Sequence, residues 1–211
     1  MLGANDGLLS VAGLLIGVAA ADASRAVLVT TGLAGLFAGA FSMAVGEYSS
    51  VSSQRDAEQA DLARESAELA TTPRSELAEL TGIYIRRGLN PSLAGQVAAE
   101  LMARDPLEAH ARDELGLDPA DLARPAQAAA VSALSFTLGA LVPLLVVVLV
   151  PSAARIPTTV AVTLVGLGLL GYLGARLGGA PAARATLRVL LGGAAALALT
   201  ALIGQLVGAA V

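Results

Sequence analysis

Charge is segregated along this chain, and no other feature of the sequence constrains its fold as strongly. Of 17 acidic residues, 14 lie between positions 51 and 125, together with 8 of the 13 arginines, while the other 136 residues carry five arginines and three acids. A hydrocarbon core about 30 Å thick takes roughly 20 mostly apolar helical residues. Five stretches outside the charged segment meet that length: 2–21, 26–50, 127–150, 157–177 and 185–211. The expectation is an all-α membrane protein with transmembrane helices one and two in residues 1–50, a helical acidic insert in 51–125, and transmembrane helices three to five in 126–211. The first stretch lacks a basic leader and carries Asp6 within its apolar run, so it reads as a span and not as a secretory signal. Met1 abuts that span with no flanking anchor, as expected of a clipped start.

Arginines near span ends give the orientation. Arg55 and Arg124 flank the insert, and the link between spans four and five holds Arg176, Arg184 and Arg188. The two opposite links hold only Arg25 and Arg155. The bias places the amino terminus and the insert in the cytoplasm. The insert carries a net charge of −6, which disfavours nucleic acid and favours cations. With no cysteine, disulfide scaffolds and thiolate chemistry are excluded.

Within the insert, a capping residue followed by proline recurs at Thr72-Pro73, Asn90-Pro91, Asp105-Pro106 and Asp118-Pro119, the pattern of helix starts. Gly88 and Gly116 fall where helices would stop. Neither Gly nor Pro interrupts 48–71, so the second span is expected to continue as one helix to about residue 70, a stalk on the order of 65 Å long.

Glu65-x-x-Glu68 ends that helix and Glu76-x-x-Glu79 opens the next. Like charges three apart repel, and a chain reversal at Pro73 would bring the two pairs together and worsen the repulsion unless cations sit between them. His110, the only histidine, and Glu114 lie four apart and add possible ligands from a third helix. Hard divalent ions such as Mn²⁺ and Fe²⁺ suit these donors. The competing reading is a solvated face salt-bridged to Arg55, Arg64, Arg74 and Arg86, with His110 in a structural role. In the spans, only Asp6 and Glu47 are acidic within apolar surroundings, where a carboxylate costs roughly 2.5–3.5 kcal/mol. Gly35, Gly39, Met43 and Glu47 share one helix face, which presents a thioether and a carboxylate to a common lumen or, alternatively, packs against a neighbour with Glu47 at the interface. Asp6 reads either as a pathway group or as a helix-end residue near water. The pairs Gly13/Gly17, Gly174/Gly178 and Gly204/Gly208 are spaced for close helix contact in a tight bundle or a homodimer.

Enzyme chemistry finds no footing here. HExxH is absent, no histidine lies in a span to serve a serine nucleophile, and a second histidine would be needed for a di-iron carboxylate centre. No phosphate-binding glycine loop appears.

Asn5-Asp6-Gly7-Leu8, the run Ala40-Phe41-Ser42-Met43-Ala44-Val45-Gly46-Glu47-Tyr48, Ser52-Ser53-Gln54-Arg55-Asp56 and Leu138-Gly139-Ala140-Leu141-Val142-Pro143 resemble the vacuolar iron transporter family, and the resemblance spans essentially the whole chain. It implies a dimeric five-helix membrane domain with a cytoplasmic helical metal-binding domain between spans two and three. It also implies export of Fe²⁺ and Mn²⁺ from the cytoplasm in exchange for protons, with the metal as substrate and no cofactor. The family's pathway aspartate and methionine fall on Asp6 and Met43, and its metal-binding glutamates on Glu65, Glu68, Glu76, Glu79 and Glu114. Where better-known members have two methionines on the third insert helix, this chain has His110 and Ala111, and an acidic position two turns before the pathway methionine is Gly35. Imidazole in place of sulfur makes the implied site friendlier to Mn²⁺.

The expected function is thus secondary transport of Fe²⁺ or Mn²⁺ by proton antiport, with divalent ions, protons, the bilayer and a second copy of the chain as partners and no nucleic acid. The alternative is a membrane-anchored metal-sensing or partner-docking protein without transport. Thirteen arginines and no lysine point to a GC-rich bacterial gene, hence to a bacterial cell membrane, or to a vacuolar membrane in a eukaryote.

Overall fold

The computed structural model describes residues 1–210, and these contain helices and links with no strand. The elements are α1 (Leu2–Ala20), α2 (Arg25–Thr71), α3 (Pro73–Arg86), α4 (Pro91–Arg104), α5 (Pro106–His110), one π-helical turn (Ala111–Leu115), α6 (Pro125–Leu149), α7 (Ser152–Leu177) and α8 (Ala182–Ala210). Five of them, α1, α2, α6, α7 and α8, are long and apolar enough to cross a bilayer, which makes this a multi-pass membrane protein. Val211, the end of the fifth expected span, lies outside the described residues. The chain divides into a membrane unit, Met1–Glu47 with Ala126–Val211, and a polar unit, Tyr48–Pro125. As expected from its uninterrupted sequence, α2 is a single 47-residue helix.

In the membrane unit α1 is the central helix, with Leu8, Val11, Ala12, Leu15 and Ile16 all buried. Glycines let its neighbours approach. A Cβ at Gly7 would collide with the Phe136 carbonyl oxygen, and one at Gly139 with the Ala4 carbonyl oxygen, so α1 and α6 cross backbone to backbone. On another side Gly13 and Gly17 meet Thr200 of α8, while a Cβ at Gly204 would strike the Gly17 carbonyl. The Gly13/Gly17 and Gly204 spacing therefore serves packing within one chain. Lipid supplies no hydrophobic drive between helices, so such close crossings carry much of the packing. Outward-facing Phe37, Phe41, Val45, Leu138 and Leu149 are exposed, as side chains solvated by hydrocarbon should be. Gly7→Ala is expected to destabilise the bundle by about 3 kcal/mol, the upper range for overpacking a core, because backbone cannot yield as a flexible side chain does. Thermal unfolding in detergent reads this, and an unchanged midpoint would refute the crossing.

Two expectations for the spans are corrected. The fourth helix begins at Ser152, not at Pro157. A proline near the amino-terminal end forfeits a single i→i−4 bond, a loss the following twenty residues of apolar helix outweigh. Consequently Arg155 is not a link residue: it sits in the second turn of α7, 8% exposed.

In the polar unit, Leu80 and Ile83 of α3, Ala98 of α4 and Ala109 of α5 form a small core backed by Leu77, Leu101 and Met102. Burying Leu80 fully is worth about 2 kcal/mol. Asn90 and Asp105 cap as their sequence implies: each Oδ1 accepts a backbone N–H, from Leu93 and Glu108 respectively, at 2.9 Å. Gly88 (φ 101°) and Gly116 (φ 67°) end helices in the left-handed region, where glycine alone carries no Cβ penalty. Thr72 occupies a cap position, but its hydroxyl bonds the Glu68 carbonyl and the Glu76 carboxylate. The expected helix after Asp118-Pro119 does not form. Asp118 Oδ1 accepts the Ala120 N–H at 3.0 Å, an Asx turn, and α6 starts at Pro125.

Candidate functional site

Three short-range facts build the centre of the polar unit. The break at Thr72-Pro73 turns the chain from α2 into α3, the Asp105 cap starts α5, and the π turn carries on from His110. Glu65 near the end of α2, Glu76 in the first turn of α3 and His110 closing α5 thereby converge, each with a ligating atom within 4.8 Å of the others. All three are buried, at 3%, 6% and 0% exposure. His110 Nδ1 lies 2.9 Å from Glu114 Oε2 and 3.0 Å from Glu65 Oε1. One ring nitrogen carries at most one hydrogen, so it bonds Glu114 and leaves Glu65 Oε1 buried without a donor. His110 Nε2 is likewise buried and unpartnered. A buried polar atom without a partner is costly, and here two of them share one cluster.

Burial, reinforced by the negative charges of Glu114, Glu76 and Glu68, pushes the Glu65 carboxyl above its usual range, and His110 offsets only part of this. The chemistry is that of a cation site: hard carboxylate oxygens and a borderline nitrogen in a water-poor pocket, with electrostatic stress that a dication would relieve. Glu68 and Glu79, the second members of the two pairs, are exposed and stand outside the cluster. Three residues turn a helix about 60° short of a full circle, which suffices to carry them off the inward face. Glu114 is at the rim, its side chain 27% exposed.

The segment bearing His110 and Glu114 is pinned by groups that the sequence reading did not single out. Tyr84 of α3 and Arg87, the residue that follows that helix, donate to the Asp113 carboxylate, Arg87 Nη2 also donates to the Asp113 carbonyl at 2.9 Å, and the guanidinium stands 5.5 Å from the Tyr84 ring centre. Burial alone would raise the Asp113 pKa, yet these donors hold it below the usual carboxylate value. Burial and the Asp113 bond together push Tyr84 up to about 12. Nothing local announces this triad, because its members lie 26 and 29 residues apart. Glu58 similarly accepts the Ala123 N–H at 2.9 Å, tying the end of the unit back to α2.

In the membrane unit, Asp6 of α1 and Met43 of α2 line one cavity of about 480 Å³ with Asn5 and, from α8, Arg188. Asn5 Oδ1 is buried without a partner, a further oxygen donor beside Asp6 that the sequence reading passed over. Arg188, counted from sequence among link arginines, lies inside α8 on this cavity. Gly35 and Gly39, on the same face of α2 as Met43, meet Leu14 of α1 and the Phe136 ring of α6. The glycine half of that face packs, and it opens at Met43. Glu47 is half-buried one turn further on and is not among the lining residues.

Comparison with known proteins follows the same extent of chain. The sequence pattern of the VIT family matches residues 1–205. A protein named vacuolar iron transporter from Acanthamoeba castellanii is 44% identical over 207 residues, covering 98% of this chain and 76% of that protein. Vacuolar iron transporter homolog 3 of Arabidopsis thaliana is 39% identical over 209 residues, 99% of this chain and 81% of its own length. For vacuolar iron transporter homolog 5 of Oryza sativa subsp. japonica the identity is 40% over 201 residues, 95% and 74% of the two chains. With nearly every residue inside the match and this much identity, the chain belongs to the VIT family.

Proposed function

We propose that this protein is a dimeric secondary transporter that exports Fe²⁺ or Mn²⁺ from the cytoplasm in exchange for protons. The reading as a metal-ion transporter, and not an enzyme, draws on relatives named vacuolar iron transporters. The buried trio of Glu65, Glu76 and His110, with two unpartnered ligating atoms, is the observation that carries the choice of a divalent cation. Arginine placement supports a cytoplasmic polar unit, where that trio gathers metal with Glu68, Glu79 and Glu114 adding to the local negative potential. Oxygen and nitrogen donors with no thiolate suit Mn²⁺ at least as well as Fe²⁺.

In the membrane unit, Asp6 and Met43 hold the ion in transit, Asn5 supplies a neutral oxygen, and Glu47 extends the path along α2. The two carboxylates take protons when the metal leaves, which avoids bare charges in a medium of low dielectric. Arg188 contributes a fixed positive charge that limits how long a dication dwells beside Asp6. The exposed Phe37, Phe41 and Val45 form an apolar stripe on α2 suited to a second copy of the chain. The arginine-only basic composition favours a bacterial cell membrane as the location.

The test is reconstitution of the full chain into liposomes with a metal-responsive dye inside. A proton gradient, acidic inside, is expected to drive Mn²⁺ entry, and dissipating it with a protonophore to stop that entry. Mn²⁺ binding without flux would instead make the protein a membrane-anchored metal sensor.

A further inference from the structure

The membrane unit holds a second feature that the transport reading does not use. Arg155 is 8% exposed, its Nε is buried without a partner, and among the described residues it forms no ion pair. A guanidinium does not lose its proton in a protein, so its burial requires a counter-charge. Among the described residues no carboxylate pairs with it or lines its pocket. The unit's three acids are Asp6, Asp22 and Glu47. Asp6 lines the Met43 cavity, and Asp22 lines a separate pocket with Gln205 and Gly208. Glu47 is 22 residues of helix from the start of α2, about 33 Å. The Thr159 hydroxyl donates to the Arg155 carbonyl and so gives the guanidinium no partner.

Arg155 lines a pocket of about 540 Å³ formed by the α1–α2 and α6–α7 links, with Arg25, Ser24 and Ser152. Two long helices, α2 and α7, begin at this pocket, and both direct their positive ends there. Ser24 caps α2 by accepting the Val27 N–H, whereas Pro151 at the head of α7 supplies no side-chain acceptor, so the Ser152 and Ala153 N–H groups there remain available. Two arginines, two hydroxyls and an uncapped helix start, with no carboxylate among them, make a receptor for an anion with several oxygens.

We propose that this pocket binds a phosphate-class oxyanion, with the Arg155 guanidinium as its buried anchor and Arg25 as its exposed clamp. The anion is either the headgroup phosphate of an acidic lipid or a soluble phosphate ion. Such a ligand supplies the missing counter-charge and ties together the two links on the face of the bundle opposite Glu47.

Thermal unfolding of the full chain in neutral detergent tests this, with phosphatidylglycerol, diacylglycerol and inorganic phosphate added in separate titrations. A midpoint raised by phosphatidylglycerol alone identifies a lipid headgroup, and one raised by inorganic phosphate identifies a soluble ion. No rise with either overturns the proposal, as does a rise with diacylglycerol as large as that with phosphatidylglycerol. Arg155→Gln is expected to abolish the response and Arg155→Lys to keep part of it. Should Arg155→Gln fail to fold, the exposed Arg25→Gln decides: apparent affinity about tenfold weaker supports the clamp, as losing a charge-assisted bond implies. An affinity equal to that of the unaltered chain refutes it.

Discussion

His110→Ala and Glu65→Gln are each expected to weaken Mn²⁺ binding by the full chain by about a hundredfold or more, the scale of losing one charge-assisted or dative contact in a dry site. Both residues sit inside the cluster, and each has a buried side-chain atom without a partner. Glu68→Gln and Glu79→Gln remove the same formal charge from exposed positions. They are expected to change affinity by no more than about threefold, because solvent screens an exposed charge. Charge count alone would rank the three carboxylate changes alike, so the contrast isolates geometry.

Protons compete with the metal at this site, and the direction follows from Glu65. Its carboxyl is raised in the folded protein, first by burial and then by Glu114, Glu76 and Glu68. A proton therefore stabilises the metal-free fold as pH falls through that raised value toward the ordinary 4.5, and the ionised group costs stability above it. Mn²⁺ relieves that cost only where Glu65 is ionised. Affinity should accordingly fall as pH drops below neutrality, with protons released on binding wherever Glu65 is still protonated in the metal-free protein. Isothermal titration in buffers of differing ionisation enthalpy measures both effects. If His110→Ala binds Mn²⁺ within threefold of the unaltered chain, the cluster is not the metal site.

Local rules carried the sequence reading a long way and failed where tertiary packing decides. Span length needs only apolar runs, and the Asn90, Asp105, Gly88 and Gly116 signals act within four residues, so these were legible. Asp118-Pro119 misled because an Asx turn and a helix cap use the same side-chain oxygen on an N–H two or three residues on. Pro157 misled because proline is read as a boundary, although the first turns of a long apolar helix tolerate it. Both Glu-x-x-Glu pairs stood out, but which glutamate of each faces inward depends on how Leu80 and Ile83 rotate α3 against α4 and α5, a long-range outcome. The arginine rule counts charge near span ends and is blind to burial, so Arg155 and Arg188 passed as link residues.

Asp6→Asn and Met43→Leu are expected to cut Mn²⁺ flux into proteoliposomes at least about tenfold, a barrier change of about 1.4 kcal/mol or more. Each substitution preserves shape. Asparagine matches aspartate, and leucine for methionine is a volume-conserving swap that costs the fold less than about 1.5 kcal/mol. What each removes is chemical: the negative charge that offsets a dication in hydrocarbon, or the soft thioether beside it. Both side chains line the same cavity within the membrane unit, whereas Glu65, Glu76 and His110 belong to the polar unit. The two variants should therefore keep equilibrium Mn²⁺ binding within about twofold, as sites without shared partners behave additively. Asp6→Asn should in addition uncouple the residual flux from the proton gradient, since asparagine cannot take up the proton that replaces the metal, while Met43→Leu should leave coupling intact. Unaltered flux in both variants would move the path away from this cavity. Loss of flux together with loss of binding would instead mean that the substitutions had damaged the fold.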